Sequence, residues 1–266
     1  MACFDLAGAP VLLTGASSGI GRALAFALAG RGARLAIAAR RRAALEEVAD
    51  RIATGGAPRP HVFTADLSVP GAAAALAGEA SAALGGVRVL VSNAGVGLVA
   101  AQAGMGDGDD ARALFETNLW SPLALARAVL PGMRDGGVIV NVTSTLQVVP
   151  VPMLGYYGAA KAALAHATRT LRNELDGTGV TVLEYVPGAT DTGARDVALL
   201  PWRDGPVRTP PPVSPDSAAR AVVRAIERGE RRRAHPRLSL LPLEIPAVGR
   251  LAARIAARRI EVPGGP

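Results

Sequence analysis

PVLLT (10–14), GASSGIG (15–21) and RALAFALAG (22–30) form one continuous stretch from which the fold class can be read. A short apolar run stops at a glycine-rich turn, and the turn opens directly into an alanine- and leucine-rich segment of helical period. Strand, turn and helix in that order place the helix start, with its unpaired N–H groups and positive dipole end, at the carboxyl end of the strand. Glycines allow the backbone to approach an anion closely. Gly15, Ser17, Ser18, Gly19, Ile20 and Gly21 are therefore candidate contacts for a pyrophosphate. The glycine spacing here is GxxxGxG, which differs from the common GxGxxG.

The same alternation continues outward along the chain. Apolar runs near 10–14, 34–38, 61–65, 87–91, 137–143 and 180–185 read as strands. Segments near 19–30, 41–53, 71–84, 109–132, 158–175 and 215–228 read as helices. Right-handed crossovers between such elements give a doubly wound parallel sheet, a Rossmann-type three-layer α/β/α arrangement. With 266 residues, 50% apolar, 19% charged and 3% aromatic, one α/β domain over 1–266 is expected, and disordered or all-β classes are excluded. Cys3 is the lone cysteine, and His61, His166 and His235 lack metal-ligand spacing, so neither a disulfide nor a metal site is expected. The first residues lack a basic leader and no run of 18 apolar residues occurs, so a cytoplasmic location is expected.

The end of the second strand selects the dinucleotide. An NAD enzyme places a carboxylate about 20 residues past the turn to hold the ribose 2′-hydroxyl. Here the chain reads Ala38, Ala39, Arg40, Arg41 and Arg42. Guanidinium groups at that position suit a 2′-phosphate, so NADP(H) is expected, with Arg40 and then Arg41 as contacts. The overall charge of +7 does not indicate nucleic acid: residues 214–266 hold 11 arginines against 5 acidic residues, giving +6, without interleaved aromatics.

Lys161 is the only lysine in the chain, against 28 arginines. Lysine offers a compact ammonium whose pKa shifts readily, which guanidinium cannot provide. Tyr157 lies four residues upstream, so both side chains leave one helical face. An adjacent ammonium favours phenolate and brings a tyrosine toward acid/base work near neutrality.

These motifs, with Asp66 and Leu67 after the third strand, Asn93, Ala94 and Gly95 after the fourth, Asn118, Ser144, and Pro187 and Gly188 with Thr192 after the sixth, resemble the short-chain dehydrogenase/reductase family over about residues 8–230. The resemblance implies an oxidoreductase of alcohols and carbonyls with Asn118, Ser144, Tyr157 and Lys161 as its catalytic set. Tyr157 would exchange the proton, Ser144 would polarise the same oxygen, and Lys161 would lower the tyrosine pKa and hold the nicotinamide ribose. Asn118 would anchor a water relay to the lysine. Asp66 and Leu67 would meet the adenine, Asn93, Ala94 and Gly95 the adenosine side, and Pro187, Gly188, Thr190 and Thr192 the nicotinamide amide. Ser144 also reads as a turn cap, and Asn118 as a helical polar residue bonded to backbone. Tyr156 has no lysine partner and reads as packing, and His166 has no assigned role. Gly158 departs from the small polar residue usual after the tyrosine.

A substrate loop is expected over about 193–213, with Val197, Leu199, Leu200, Pro201 and Trp202 forming an apolar lid and Arg195, Arg203 and Arg208 around it. Leu146, Val148, Val149, Val151, Met153 and Leu154 are candidates for the facing wall, so a hydrophobic ketone or alcohol is the expected small-molecule partner. Residues 244–260 predict a basic amphipathic helix, with Val248, Leu251, Ala252 and Ile255 on one side and Arg250, Arg254 and Arg258 on another. That helix would pack on the domain or a second subunit, or meet an anionic membrane surface. The resemblance further implies a homodimer or homotetramer. A non-catalytic NADP(H) sensor or scaffold, and a non-redox lyase or epimerase, are the alternative readings.

Overall fold

The computed structural model describes residues 3–133, 135–190, 199–203, 205 and 212–262. Seven parallel strands form one sheet: β1 (Pro10–Thr14), β2 (Arg34–Ala39), β3 (His61–Thr64), β4 (Val89–Ser92), β5 (Gly137–Val142), β6 (Val180–Pro187) and β7 (Arg232–His235). Their order is β3-β2-β1-β4-β5-β6-β7. The helices are α1 (Gly19–Ala29), α2 (Arg42–Thr54), α3 (Ala72–Leu84), α4 (Gln102–Met105), α5 (Asp109–Phe115), α6 (Ser121–Val129), α7 (Gly155–Glu174), α8 (Pro215–Glu227), α9 (Leu241–Glu244) and α10 (Pro246–Arg259).

Strand periodicity divides the core into two layers. Val11 and Leu13 of β1, Leu35 and Ile37 of β2, and Leu183 and Tyr185 of β6 pack against α1, α2 and α8. Leu12, Ala36, Leu90 and Ile139 point the other way, against α3, α6 and the end of α7. Both faces are covered, which is why the strands read as continuous apolar runs. The winding direction reverses between β1 and β4, so a crevice opens outside their carboxyl ends.

The short helices α4 and α9 are not expected from the sequence, and three further differences bear on the sheet edge and the site. β7 is an edge strand on β6, and only Ala234 among its four residues is buried, so Arg-Arg-Ala-His carries no apolar pattern. The single helix predicted over 109–132 is interrupted by a π-turn at Glu116–Trp120 and closes in a 3-10 turn at Leu130–Gly132. Pro122 has no N–H to give the carbonyl of Asn118, so the α-type ladder cannot pass through this point. The helix bearing Tyr157 begins at Gly155, three residues before the predicted start.

Tyr185 is fully buried on β6, and its hydroxyl has no hydrogen-bond partner among the described residues. Burial pushes its pKa above the usual tyrosine value. An unpaired buried hydroxyl costs folding free energy. Tyr185→Phe is expected to raise the unfolding free energy by roughly 1 kcal/mol in urea titration; a fall would mean that the hydroxyl bonds a buried water.

Candidate active site

The turn after β1 is held open by glycines and by a latch from β4. Gly15 and Gly19 have φ of +69° and +52°. A Cβ on Gly21 would lie 2.1 Å from the Gly15 carbonyl oxygen, and one on Gly15 would lie 2.8 Å from Asn93 Nδ2. Thr14 Oγ1 donates to the Val91 carbonyl and accepts from the N–H groups of Asn93 and Ala94 at 3.1 Å each. Asn93 Nδ2 donates to the Thr14 and Gly15 carbonyls at 2.9 and 3.3 Å. The Asn93 amide therefore shapes the turn itself. Ser18 starts α1 without a side-chain cap, which leaves first-turn N–H groups facing the crevice.

Next to this turn, Arg40 and Arg41 are exposed at the end of β2. Arg41 Nη2 donates to Ser17 Oγ at 3.2 Å, which ties the basic pair to the glycine turn. Arg42 instead pairs with Glu46, and Glu47 pairs with Arg22 and Arg51. Among the described residues no carboxylate forms a salt bridge with Arg40 or Arg41. The Ser68 N–H and hydroxyl, both bonded to Asp66 Oδ1, hold the Asp66 carboxyl below its ordinary pKa, and Arg40 adds to the effect. Leu67 is buried, and its carbonyl accepts from Ser121 Oγ at 2.8 Å.

On α7, Tyr157 and Lys161 leave the same face, with Lys161 Nζ 5.9 Å from the centre of the Tyr157 ring. Lys161 is 3% exposed and donates to the Val142 carbonyl at the end of β5, at 2.9 Å. Burial brings its pKa down to about 8. Ser144 Oγ accepts from Leu146 N–H at 3.2 Å, capping the turn Thr145–Gln147. Accepting leaves its O–H free to donate elsewhere. A Cβ on Gly158 would sit 3.1 Å from the Leu146 carbonyl, so the glycine beside Tyr157 permits the Ser144 turn to approach α7.

Asn118 is fully buried, and its amide spans Val96, with Oδ1 accepting from the N–H at 2.9 Å and Nδ2 donating to the carbonyl at 2.8 Å. Those two bonds leave one hydrogen and one lone pair of the Asn118 amide. A Cβ on Gly95 would lie 3.2 Å from Asn118 Oδ1 and 3.5 Å from Lys161 Nζ, so the three residues converge. Beyond β6, Gly188 N–H donates to the His235 carbonyl, and Thr190 Oγ1 donates to the Gly188 carbonyl at 3.1 Å. Thr192, Arg195, Val197 and Arg208 lie outside the described residues. Tyr156 is buried and donates to the Gly106 and Gln102 carbonyls, a packing role, and His166 is exposed.

Sequence reasoning missed Glu184. It is the only charged residue in β6 and is fully buried; its Oε1 accepts from Thr143 Oγ1 at 3.3 Å and from Gln147 Nε2 at 3.1 Å. These two donors flank Ser144. The available signal was one carboxylate inside an otherwise apolar strand.

The family model for short chain dehydrogenases matches residues 9–199, a span that includes the glycine turn, Ser144 and the Tyr157–Lys161 pair. The chain belongs to the short-chain dehydrogenase family. As a member, it is an oxidoreductase of hydroxyl or carbonyl groups that uses a nicotinamide cofactor. This short-chain dehydrogenase is 35% identical over 236 residues to an 11-beta-hydroxysteroid dehydrogenase A of Sesamum indicum, covering 85% of this chain and 68% of that one. It also matches a short-chain dehydrogenase from Sphingobium yanoikuyae in complex with NADPH (TM-score 0.76, 27% identity, 92% and 94% covered). A third match, from Burkholderia phymatum in complex with NAD, has TM-score 0.79 at 27% identity and covers 99% of each chain.

The buried lysine of this short-chain dehydrogenase has a pH signature. Below pH 8 the amine is protonated in both folded and unfolded chains, so the folded form carries the full cost of the buried charge. Between pH 8 and 10.5 the unfolded chain binds more protons, and stability rises with pH. Lys161→Met is expected to be more stable than the parent by roughly 1–3 kcal/mol at pH 7, after allowing for the lost bond to Val142. That difference should shrink across the same window. Denaturation of both proteins at several pH values checks the sign; a difference independent of pH would contradict the desolvated ammonium.

Proposed function

We propose that this short-chain dehydrogenase is an NADP(H)-dependent carbonyl reductase, or alcohol dehydrogenase in reverse, acting on a hydrophobic small molecule. The observation that carries the chemistry is the desolvated Lys161 ammonium one helical turn from Tyr157, at the carboxyl edge where the glycine turn lies. Two clashes measure the fit of the cofactor: the positions a Cβ would fill at Gly15 and Gly21 are taken by backbone and by Asn93, so the turn keeps bare amides facing the crevice. Gly15 and Ser17 to Gly21 would hold the pyrophosphate, Asp66 and Leu67 the adenine, and Pro187, Gly188, Thr190 and Thr192 the nicotinamide amide. Asn93 would act indirectly, through the turn.

When bound, NADP(H) supplies or accepts the hydride. In the reducing direction Tyr157 gives its phenolic proton to the carbonyl oxygen, while Ser144 donates a hydrogen bond to the same oxygen. Lys161 favours the phenolate left on Tyr157 and presents donors to the ribose hydroxyls. Asn118 holds the water from which the lysine side is reprotonated.

NADP(H) is favoured by Arg40 and Arg41, with which no carboxylate among the described residues forms a salt bridge, and by the run Ala38 to Arg42, which holds no carboxylate at the end of β2. A hydrophobic substrate is supported by the cluster of Leu154 and Leu200 with Leu146, Val151, Met153 and Trp202, and by the hydroxysteroid in the name of the Sesamum indicum relative. A homodimer or homotetramer is supported by an apolar depression of about 600 Å³ between α6 and α7, lined by Leu123, Leu130, Leu171 and Leu175.

NADPH consumption with a panel of hydrophobic ketones tests the reading, since a sensor binds nucleotide without substrate-dependent turnover. Tyr157→Phe is expected to lower turnover by about 100-fold or more with nucleotide affinity unchanged; loss of nucleotide binding would contradict its role. Replacing Arg40 and Arg41 together by alanine is expected to weaken NADPH binding by about tenfold or more while NADH binding holds. Equal weakening of both nucleotides would remove the 2′-phosphate assignment.

A further inference from the structure

α10 rests on the domain with its smallest residues. Gly249 packs so closely that a Cβ there would lie 3.3 and 3.4 Å from the carbonyl oxygens of Pro242 and Val148. Ala256 and Ile260 are buried against Leu154 and Leu200. Ile260 makes an antiparallel bridge with Trp202, flanked by bonds from Arg203 N–H to the Arg259 carbonyl and from Glu261 N–H to the Pro201 carbonyl, at 2.9 Å each. Of the placements open to the apolar side, packing on its own domain is not the one seen: Leu251 and Ile255 are 59% and 44% exposed, and Val248 is exposed with them. The chain leading into the helix adds Leu238, Leu241 and Ile245, all exposed.

Val248, Leu251 and Ile255 share one helical face, and Arg250, Arg254 and Arg258 form a stripe on the adjoining one. Among the described residues, no carboxylate forms a salt bridge with those arginines or with Arg237. Glu244, the nearest acid before the helix, is bonded to Arg232 at 2.6 Å, and the exposed Glu261 past its end forms no salt bridge with the stripe. A contiguous apolar face beside an uncompensated cationic stripe complements a surface with an anionic layer above a hydrocarbon one. A second copy docked through this face would set the same arginine stripe against itself, and the depression between α6 and α7 offers self-association an apolar surface with one arginine, Arg127, on its lining. No helix among the described residues is long and apolar enough to cross a membrane.

We infer that the exposed face of α10, with the turn before it, is a docking surface for an anionic lipid bilayer, with the helix lying in the interface plane. The opposite side of the same helix carries the bridge between Ile260 and Trp202, so the docked element is joined directly to the substrate-side segment. The benefit to catalysis rests on the hydrophobic-substrate reading above, whereas the docking itself does not.

The test uses the full chain and vesicles of phosphatidylcholine with or without phosphatidylglycerol, read by flotation and independent of any turnover. Binding is expected on the anionic vesicles and to fall with salt. Substituting Gln for Arg250, Arg254 and Arg258 together is expected to weaken it by about a hundredfold. The pair Leu251→Glu and Ile255→Glu is expected to abolish it while leaving the thermal melting curve unchanged, since both side chains are exposed. Failure to bind, equal binding to neutral vesicles, or retention of binding by the glutamate pair would overturn the proposal. So would sedimentation showing, without lipid, that the native chain is a larger oligomer than the glutamate pair, because the face would then join two copies.

Discussion

An ammonium sealed between α7 and the end of β5 is costly to fold around, and most of the carboxyl edge is arranged to tolerate it. Lys161 keeps one strong acceptor, the Val142 carbonyl, and the Tyr157 ring stands 5.9 Å away. A guanidinium would stay charged under any burial and could not use so narrow a site. In a chain with 28 arginines, the single lysine falls where this constraint acts. Further requirements follow from it. Gly95 must lack a side chain, or it would crowd both Asn118 and the amine. The Asn118 amide bonds both main-chain groups of Val96, which pins the loop after β4 beside the amine.

The loop after β4 also forms the back of the nucleotide crevice, so the two halves of the site are mechanically linked. Thr14 closes β1 with a hydroxyl that serves three main-chain groups of β4 and its following loop. Asn93 returns two bonds to the glycine turn. The position of the glycine turn is thereby tied to that of Gly95 and, through it, to Lys161. Parallel register and the reversal of winding at β1 supply the crevice, and side-chain bonds across it set its width.

Local chemistry was legible in the sequence, whereas effects that depend on partners from elsewhere were not. The glycine turn, the Tyr157–Lys161 spacing and strands β1 to β6 follow from period and residue type, because each is decided within a few neighbouring positions. β7 was invisible because an edge strand needs only one inward residue, Ala234, and its arginines hide the pattern. The π-turn depends on Pro122, which reads as an ordinary early-helix proline when the segment around it is taken as one helix. The side of α10 that meets the domain was not legible either: apolar periodicity singles out Val248, Leu251 and Ile255, whereas the contact is made by Gly249, close to the Val148 and Pro242 carbonyls, and by Ala256. A hydrophobic-face argument weighs area and has no access to the available distance.

Glu184 shows why that distance bears on the chemistry. Its Oε1 holds Thr143 and Gln147 on either side of Ser144, and its Oε2 lies 3.6 Å from Arg232 Nε. Arg232 reaches Glu244 at the end of α9, and α10 follows with Gly249 against Val148, just past the Ser144 turn. The turn that presents Ser144 is thus gripped from beneath by a buried carboxylate and from outside by the C-terminal helix, and one arginine spans the two supports. Moving α10 would disturb the Arg232–Glu244 contact and the support at Val148 together. α10 is therefore also part of what keeps the Ser144 hydroxyl in place, so the position of the C-terminal helix and that of the hydroxyl proposed to polarise the carbonyl depend on one set of contacts.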